Sequence, residues 1–124
     1  MTARIVHESE FDPGDYVAEL ESAPGNLDVG TRLWFENERV RVWEVRLAPG
    51  ERGAFHAHTR SYFWTVVDGG LGRQRTAGAA TMITREYNVG DTSFSSHTAD
   101  DPMIHDFENV GDTDIRFITV ELLD

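Results

Sequence analysis

The chain has 124 residues, a formal net charge of −11 and no cysteine. That length fits one domain able to bury a core without crosslinks. The missing cysteines exclude disulfides, thiolate nucleophiles and sulfur metal ligands, and the acidity argues against nucleic acid or an anionic membrane as a partner. All eleven basic residues are arginine, so no side chain can form an imine. No apolar run approaches the ~18 residues of a membrane span. Residues 1–8 lack the apolar core of a secretion signal, so a cytoplasmic protein is expected.

Residues 1–30 form a mixed stretch, expected to be an irregular arm packed on the domain that follows, residues 31–124. Turn signals stand at Phe11-Asp12-Pro13-Gly14 and Ala23-Pro24-Gly25-Asn26; between them Val17 to Glu21 reads as a short helix or irregular chain. From Thr31 the pattern is β. Thr31 to Phe35 is a short strand, and Glu36-Asn37-Glu38 a turn. Arg39 to Leu47 alternates with a slip in phase: Val40 and Val42 share one face, Trp43, Val45 and Leu47 the other. A bulge, or cover on both faces, would account for it. Ser61 to Val67 is strongly apolar and closes at Asp68-Gly69-Gly70. Leu71 to Thr76, Thr81 to Val89 and Thr92 to Phe94 follow. Residues 95–102 are a polar loop suited to cap a mouth. Met103 to Glu108 and Asp114 to Leu122 are the last strands. In the latter, Ile115 and Phe117 oppose Ile118 and Val120. Eight or so short strands with turns between them indicate an all-β sandwich, jelly roll or barrel.

His56-Ala57-His58 is an i, i+2 pair. On a strand both imidazoles look to one face, and imidazole is a ligand for Zn, Fe, Cu and Ni. His105 lies on a later strand and would complete a set of three. No nucleophile elbow, phosphate-binding glycine loop or Cys–His pair competes.

Gly50-Glu51-Arg52-Gly53-Ala54-Phe55-His56-Ala57-His58, followed by Gly69, resembles the first motif of the cupins. Gly90-Asp91 with His105-Asp106-Phe107-Glu108-Asn109 resembles the second. The resemblance covers roughly residues 31–122. It implies a double-stranded β-helix (a jelly-roll barrel) holding one divalent metal ion on His56, His58 and His105. Two positions depart from the pattern. Tyr62 stands where the first motif usually has a metal-binding Glu, and Pro102 replaces the usual Pro-x-Gly-x-x-His lead-in.

Three neutral ligands leave coordination positions open and keep the full positive charge of the ion, which favours an anionic ligand. The ion expected is Fe(II), with Zn, Ni, Cu or Mn as alternatives. The resemblance then implies an oxygenase or related enzyme acting on a small organic molecule. A non-oxidative isomerase or hydrolase, and a binding or sensing protein without turnover, are the other readings. Tyr62 and His97 are the candidate catalytic groups beside the metal; their plainer roles are core packing and a solvated loop. Phe63, Trp64, Phe94, Met103 and Phe107 are candidates for the substrate pocket. Arg60, Arg73, Arg75 and Arg85 are candidates for contact with an acidic substrate, though charged residues on strands mostly face water. Asn109 is expected to make a turn. Exposed strand edges suit a homodimer.

Overall fold

The computed structural model describes residues 3–123. Ten strands build two antiparallel sheets. In chain order they are β1 (Arg4–Glu10), β2 (Arg32–Glu36), β3 (Val40–Leu47), β4 (Arg52–His58), β5 (Tyr62–Asp68), β6 (Gly70–Thr76), β7 (Thr81–Tyr87), β8 (Thr92–Ser95), β9 (Met103–Asn109) and β10 (Ile115–Leu122). The first sheet runs β1-β7-β6-β9-β4 and the second β2-β3-β10-β5-β8. The sheets face each other as a jelly roll and are not hydrogen-bonded into a closed barrel. Among the described residues, no helix is long and apolar enough to cross a membrane.

The N-terminal stretch is more regular than its sequence implies. Residues Arg4–Glu10 form an edge strand paired with β7. Nearly all of that strand is exposed, so no buried face imposed an alternation to read. A 3-10 turn at Pro13–Tyr16 and the short helix α1 (Val17–Ser22) follow. They lie against the outer face of the first sheet, where Phe11, Tyr16 and the buried Phe55 of β4 cluster at centroid distances of 5.4–5.8 Å. Residues 26–31 then cross from one sheet to the other. The Asn26 side chain donates to the Phe55 carbonyl and its own carbonyl accepts from Ala57 N, while Thr31 N donates to the Glu44 carbonyl of β3.

The phase slip expected in β3 lies elsewhere. β3 pairs with β10 in unbroken register from Leu47↔Ile115 to Val40↔Leu122. The irregularity is in β2, between Leu33 and Phe35. β3 therefore carries apolar residues on both faces without a bulge.

The core between the sheets is aromatic. Val66, Tyr87, Ile115 and Phe117 are buried together with Trp64 and Phe107 against them. Trp64 stacks on Phe117 at 5.2 Å, and Tyr87 meets Phe107 edge-on at 5.6 Å. At Gly72 on β6 a Cβ would overlap the Phe107 ring, so the close approach of that ring requires glycine. Above this cluster the interior opens into a cavity of about 270 Å³.

Candidate metal centre

β4 and β9 pair with His56 opposite His105. Directly opposed residues share a face, and His58 returns to that face two residues on. A register shift between Gly53 and His56 sets this phase. The three Nε2 atoms converge: His56 to His58 is 3.1 Å and His58 to His105 is 2.9 Å. All three imidazoles are buried and border the cavity.

The electrostatics hold them neutral. Burial pushes His58 down to about 2, with His56 and His97 adding to the shift. Burial likewise lowers His56, although the Ala54 carbonyl opposes it. His105, enclosed and beside three other histidines, lies well below the ordinary range. The His56 Nδ1 sits 3.0 Å from the Ala54 carbonyl. A carbonyl only accepts, so Nδ1 carries the proton and Nε2 presents a lone pair to the cavity. At the other two rings Nδ1 is buried without a partner.

These observations fit a metal. Three nitrogens crowded nose to nose cannot satisfy one another with protons. Ligand nitrogens at about 2.1 Å from one ion stand about 3.0 Å apart when mutually perpendicular, which matches the spacing found. Among the described residues this is the one cluster of metal-ligand type gathered so tightly.

The rest of the wall is mixed. Tyr62 is buried and stacks on the His58 ring at 3.9 Å; burial raises its phenol. The position that carries Glu in the first motif thus supplies a flat cover for a ligand ring instead of a carboxylate. His97, in the 95–102 loop, stacks beyond it, 5.9 Å from the Tyr62 ring and 6.3 Å from that of His58. Its Nε2 is 2.6 Å from Ser95 Oγ, and partial burial lowers it as well.

Trp64 and Phe107 line the cavity beside the histidines. Phe94 and Met103 do not; they border an adjoining hollow that shares Tyr62, Trp64 and Tyr87 with it. Phe63 borders neither. It alternates with Tyr62 and Trp64 along β5, so it points to the outer face, opposite Phe94. Of the five residues expected at the pocket, Trp64 and Phe107 thus border the cavity of the histidines, Phe94 and Met103 the adjoining hollow, and Phe63 neither. None of Arg60, Arg73, Arg75 and Arg85 borders the cavity. Arg75 faces the other side of the first sheet, paired with Asp106 and Glu108. Asn109 goes beyond a turn residue: fully buried, it donates to the carbonyls of Leu47 and Thr113 and accepts from Gly111 N.

Three features escaped the sequence. Asn26, Asp28 and Val29 form part of the wall, although nothing in an arm reading brings them there. Asp28 is the one acidic or basic side chain other than the neutral histidines among the described lining residues. Gln74 of β6 borders the cavity and donates to Thr76. Behind the histidines lies an ionic network. Asp106 accepts from Arg75 N at 2.9 Å, from Arg52 at 2.7 Å and from the Arg75 side chain at 3.1 Å, and Arg52 reaches on to Glu19 of α1. The Tyr16 ring lies between the two guanidiniums, 5.1 and 5.4 Å away. Only the alternation of Asp106 and Glu108 with His105 hinted at it; Arg52 has the parity of His56 and His58 and joins the network through the register shift between Gly53 and His56.

No family model matches the chain, and no curated protein does. Solved structures do. A cupin domain from Bordetella pertussis Tohama I superposes with a TM-score of 0.64 at 24% identity, covering 73% of this chain and 88% of that one. An RmlC-like cupin family protein with a double-stranded β-helix fold, from Methanocaldococcus jannaschii, gives 0.58 at 14% identity, over 77% and 83%. Oxalate decarboxylase from Bacillus subtilis gives 0.53 at 22% identity, over 68% of this chain and 22% of the longer one. Two facing antiparallel sheets, three histidines on neighbouring strands and these likenesses lead to one conclusion: the chain has the double-stranded β-helix fold of these cupin structures.

Proposed function

We propose that the chain is a mononuclear metal enzyme acting on a small organic molecule, with Fe(II) held by His56, His58 and His105 and dioxygen as co-substrate. The observation that carries this reading is the convergence of three uncharged Nε2 donors on the wall of one cavity, with His58 Nε2 3.1 Å from that of His56 and 2.9 Å from that of His105. A divalent ion bound there would supply a Lewis acid with open positions, and iron would add redox chemistry.

The chain's own residues supply the rest. The low basicity of the histidines keeps them available as ligands well below neutral pH. Trp64, Phe107 and Phe117 make the inner wall apolar, which limits water around a bound substrate. Tyr62 fixes the His58 ring by stacking. At the mouth, Asp28 is exposed, and its carboxyl can accept a hydrogen bond from a substrate.

A second reading, a non-oxidative lyase, isomerase or hydrolase, is favoured by that same Asp28, since a base and a Lewis acid in one cavity suffice for it. The likeness to a decarboxylase is compatible with this reading and names no substrate.

The test is elemental analysis of untagged protein purified without chelators, beside His58→Ala, with dioxygen consumption followed over a panel of small carbonyl and carboxylate compounds. About one iron per chain, lost in the variant, with substrate-dependent uptake supports the oxygenase. Zinc or manganese without uptake moves the assignment to the second reading. No metal, and none acquired from Fe(II), Zn(II), Mn(II), Ni(II) or Cu(II), overturns both.

A further inference from the structure

The hollow beside the metal cavity has a volume of about 360 Å³ and a charge character of its own. Arg85 of β7 borders it and is the one acidic or basic side chain among its described lining residues. Arg85 lies opposite Gly72, whose missing Cβ would point at the Phe107 and Tyr87 rings, so both positions belong to the inner face of the first sheet. The neighbouring Glu86 falls on the other face, where it takes Arg4 at 3.3 Å.

The chain has twice as many acidic as basic residues, 22 against 11. Six of the arginines pair with a carboxylate among the described residues: Arg4, Arg41, Arg46, Arg52, Arg75 and Arg116. Arg85 pairs with none of them, although it is half-buried. A guanidinium withdrawn from water is ordinarily paired. Burial raises the Tyr87 phenol and the Arg85 guanidinium opposes the rise, which puts the cation beside a ring that borders both cavities.

We infer that this hollow is a binding subsite for a small organic carboxylate, held by the Arg85 guanidinium. The fork of N–H donors matches a carboxylate in shape and charge. Ser93 and Ser95, opposite Trp64 and Tyr62 on the facing sheet, add hydroxyls to the wall. Ile5, Trp64 and Met103 supply the apolar surface for the body of the ligand, a mixture usual in a site for a small molecule.

The subsite joins the metal cavity through Tyr62, Trp64, Gln74 and Tyr87, which border both. Thr76 stands opposite His105 and Gly72 opposite Arg85. Four residues along β6 and two strand spacings across the sheet put the His105 and Arg85 Cα atoms about 16 Å apart. Two long side chains occupy part of that span, which leaves room for a small acid and not for a polymer. Resting on the metal-enzyme reading, this makes the substrate a carboxylic acid whose far end reaches the metal. Asp28 at one end of the joined space and Arg85 at the other would set its direction.

The experiment has two arms. In the first, the metal-free full chain is titrated with hydrocinnamate and with its neutral amide, hydrocinnamide. The indole resonances report binding, since Trp64 alone of the three tryptophans borders the hollow. Wild type is expected to bind the acid about tenfold more tightly than the amide, as a hydrogen bond to a charged group implies. Arg85→Gln and Arg85→Met should bind the two alike, with folding checked by circular dichroism. Arg73→Gln, on the other face of the same sheet, should behave as wild type. Equal binding of acid and amide by wild type overturns the subsite, and so does a preference that survives in a folded Arg85 variant.

In the second arm, zinc-loaded protein is titrated with dicarboxylates from malonate to adipate. One chain length is expected to bind best, and Arg85→Gln should erase that optimum. A flat series on protein that holds zinc overturns the link to the metal. Protein that takes up no metal overturns the proposed function instead, and the first arm still decides the carboxylate subsite.

Discussion

His105 and Asp106, adjacent on β9, serve opposite sides of one sheet. His105 turns its Nε2 to the cavity, and Asp106, with no exposed surface, receives Arg52 and Arg75 on the other side. Through Arg52 this carboxylate also ties β9 to Glu19 on α1. The backbone that aims the metal ligand is thus held by a salt-bridge network that never touches the metal.

Removing that carboxylate is expected to be costly. Asp106→Ala leaves two guanidiniums facing each other in a largely enclosed space. Breaking a buried pair from one side typically costs about 3–5 kcal/mol, and the partial exposure of Arg52 places this case at about 3. Urea titration measures it. Metal affinity, measured on protein that remains folded, is expected to fall as well, because His105 loses its backbone anchor. A variant as stable as wild type would show the network to be dispensable.

Stability of the metal-free protein is expected to fall as pH drops from 7 to 5. Folding lowers the three imidazoles below the ordinary histidine value, to about 2 for His58. The unfolded chain therefore takes up protons below about 6.5 that the folded chain refuses, and this favours unfolding. Each histidine contributes at most about 1.4 kcal/mol per pH unit in that window. The loss continues down to each folded-state value. Urea midpoints at pH 7, 6 and 5 test it, and His58→Gln should flatten the slope. A flat profile in wild type would contradict the neutral, desolvated site.

Asp28 is the lever on ligand charge. Asp28→Asn removes the one carboxylate bordering the cavity without touching a metal ligand. Metal content should stay unchanged, while a small carboxylate such as acetate should bind the metal-loaded protein about threefold more tightly at low salt, with the gain shrinking as salt rises. Calorimetry with the two proteins reads both effects. An unchanged affinity would remove Asp28 from any part in ligand selection.

Asn109→Ala should cost about 3 kcal/mol. It strips donors from the buried Leu47 and Thr113 carbonyls and an acceptor from Gly111 N, at about 1–3 kcal/mol for each group left without a partner after relaxation. Thermal or urea unfolding measures it. Because Asn109 lies outside the cavity lining, metal stoichiometry in the folded fraction should be unaffected.

The sequence made the fold legible because its strands are bounded by turns and alternate in polarity. His56 and His58 were legible because a period of two is enough to put them on one face. What escaped has physical reasons. β1 is exposed along its length and leaves no pattern. Phe63 looked like a pocket residue by composition, while its position between Tyr62 and Trp64 sends it outward. Phe94 and Met103 depend on how β8 and β9 abut β5, a relationship between distant segments. Asp28 reaches the cavity only because Asn26 and Thr31 pin residues 26–31 between the sheets, and local propensity carries no trace of that bridge.

That bridge divides the labour of the site along the chain. The metal ligands belong to sheet strands locked by register. The carboxylate at the mouth belongs to six residues outside any strand or helix, held by a few hydrogen bonds at their ends. Exchanging residues 27–30 would alter which molecules enter while leaving the three imidazoles in place, so selectivity and metal loading can be engineered, or evolve, as separate traits.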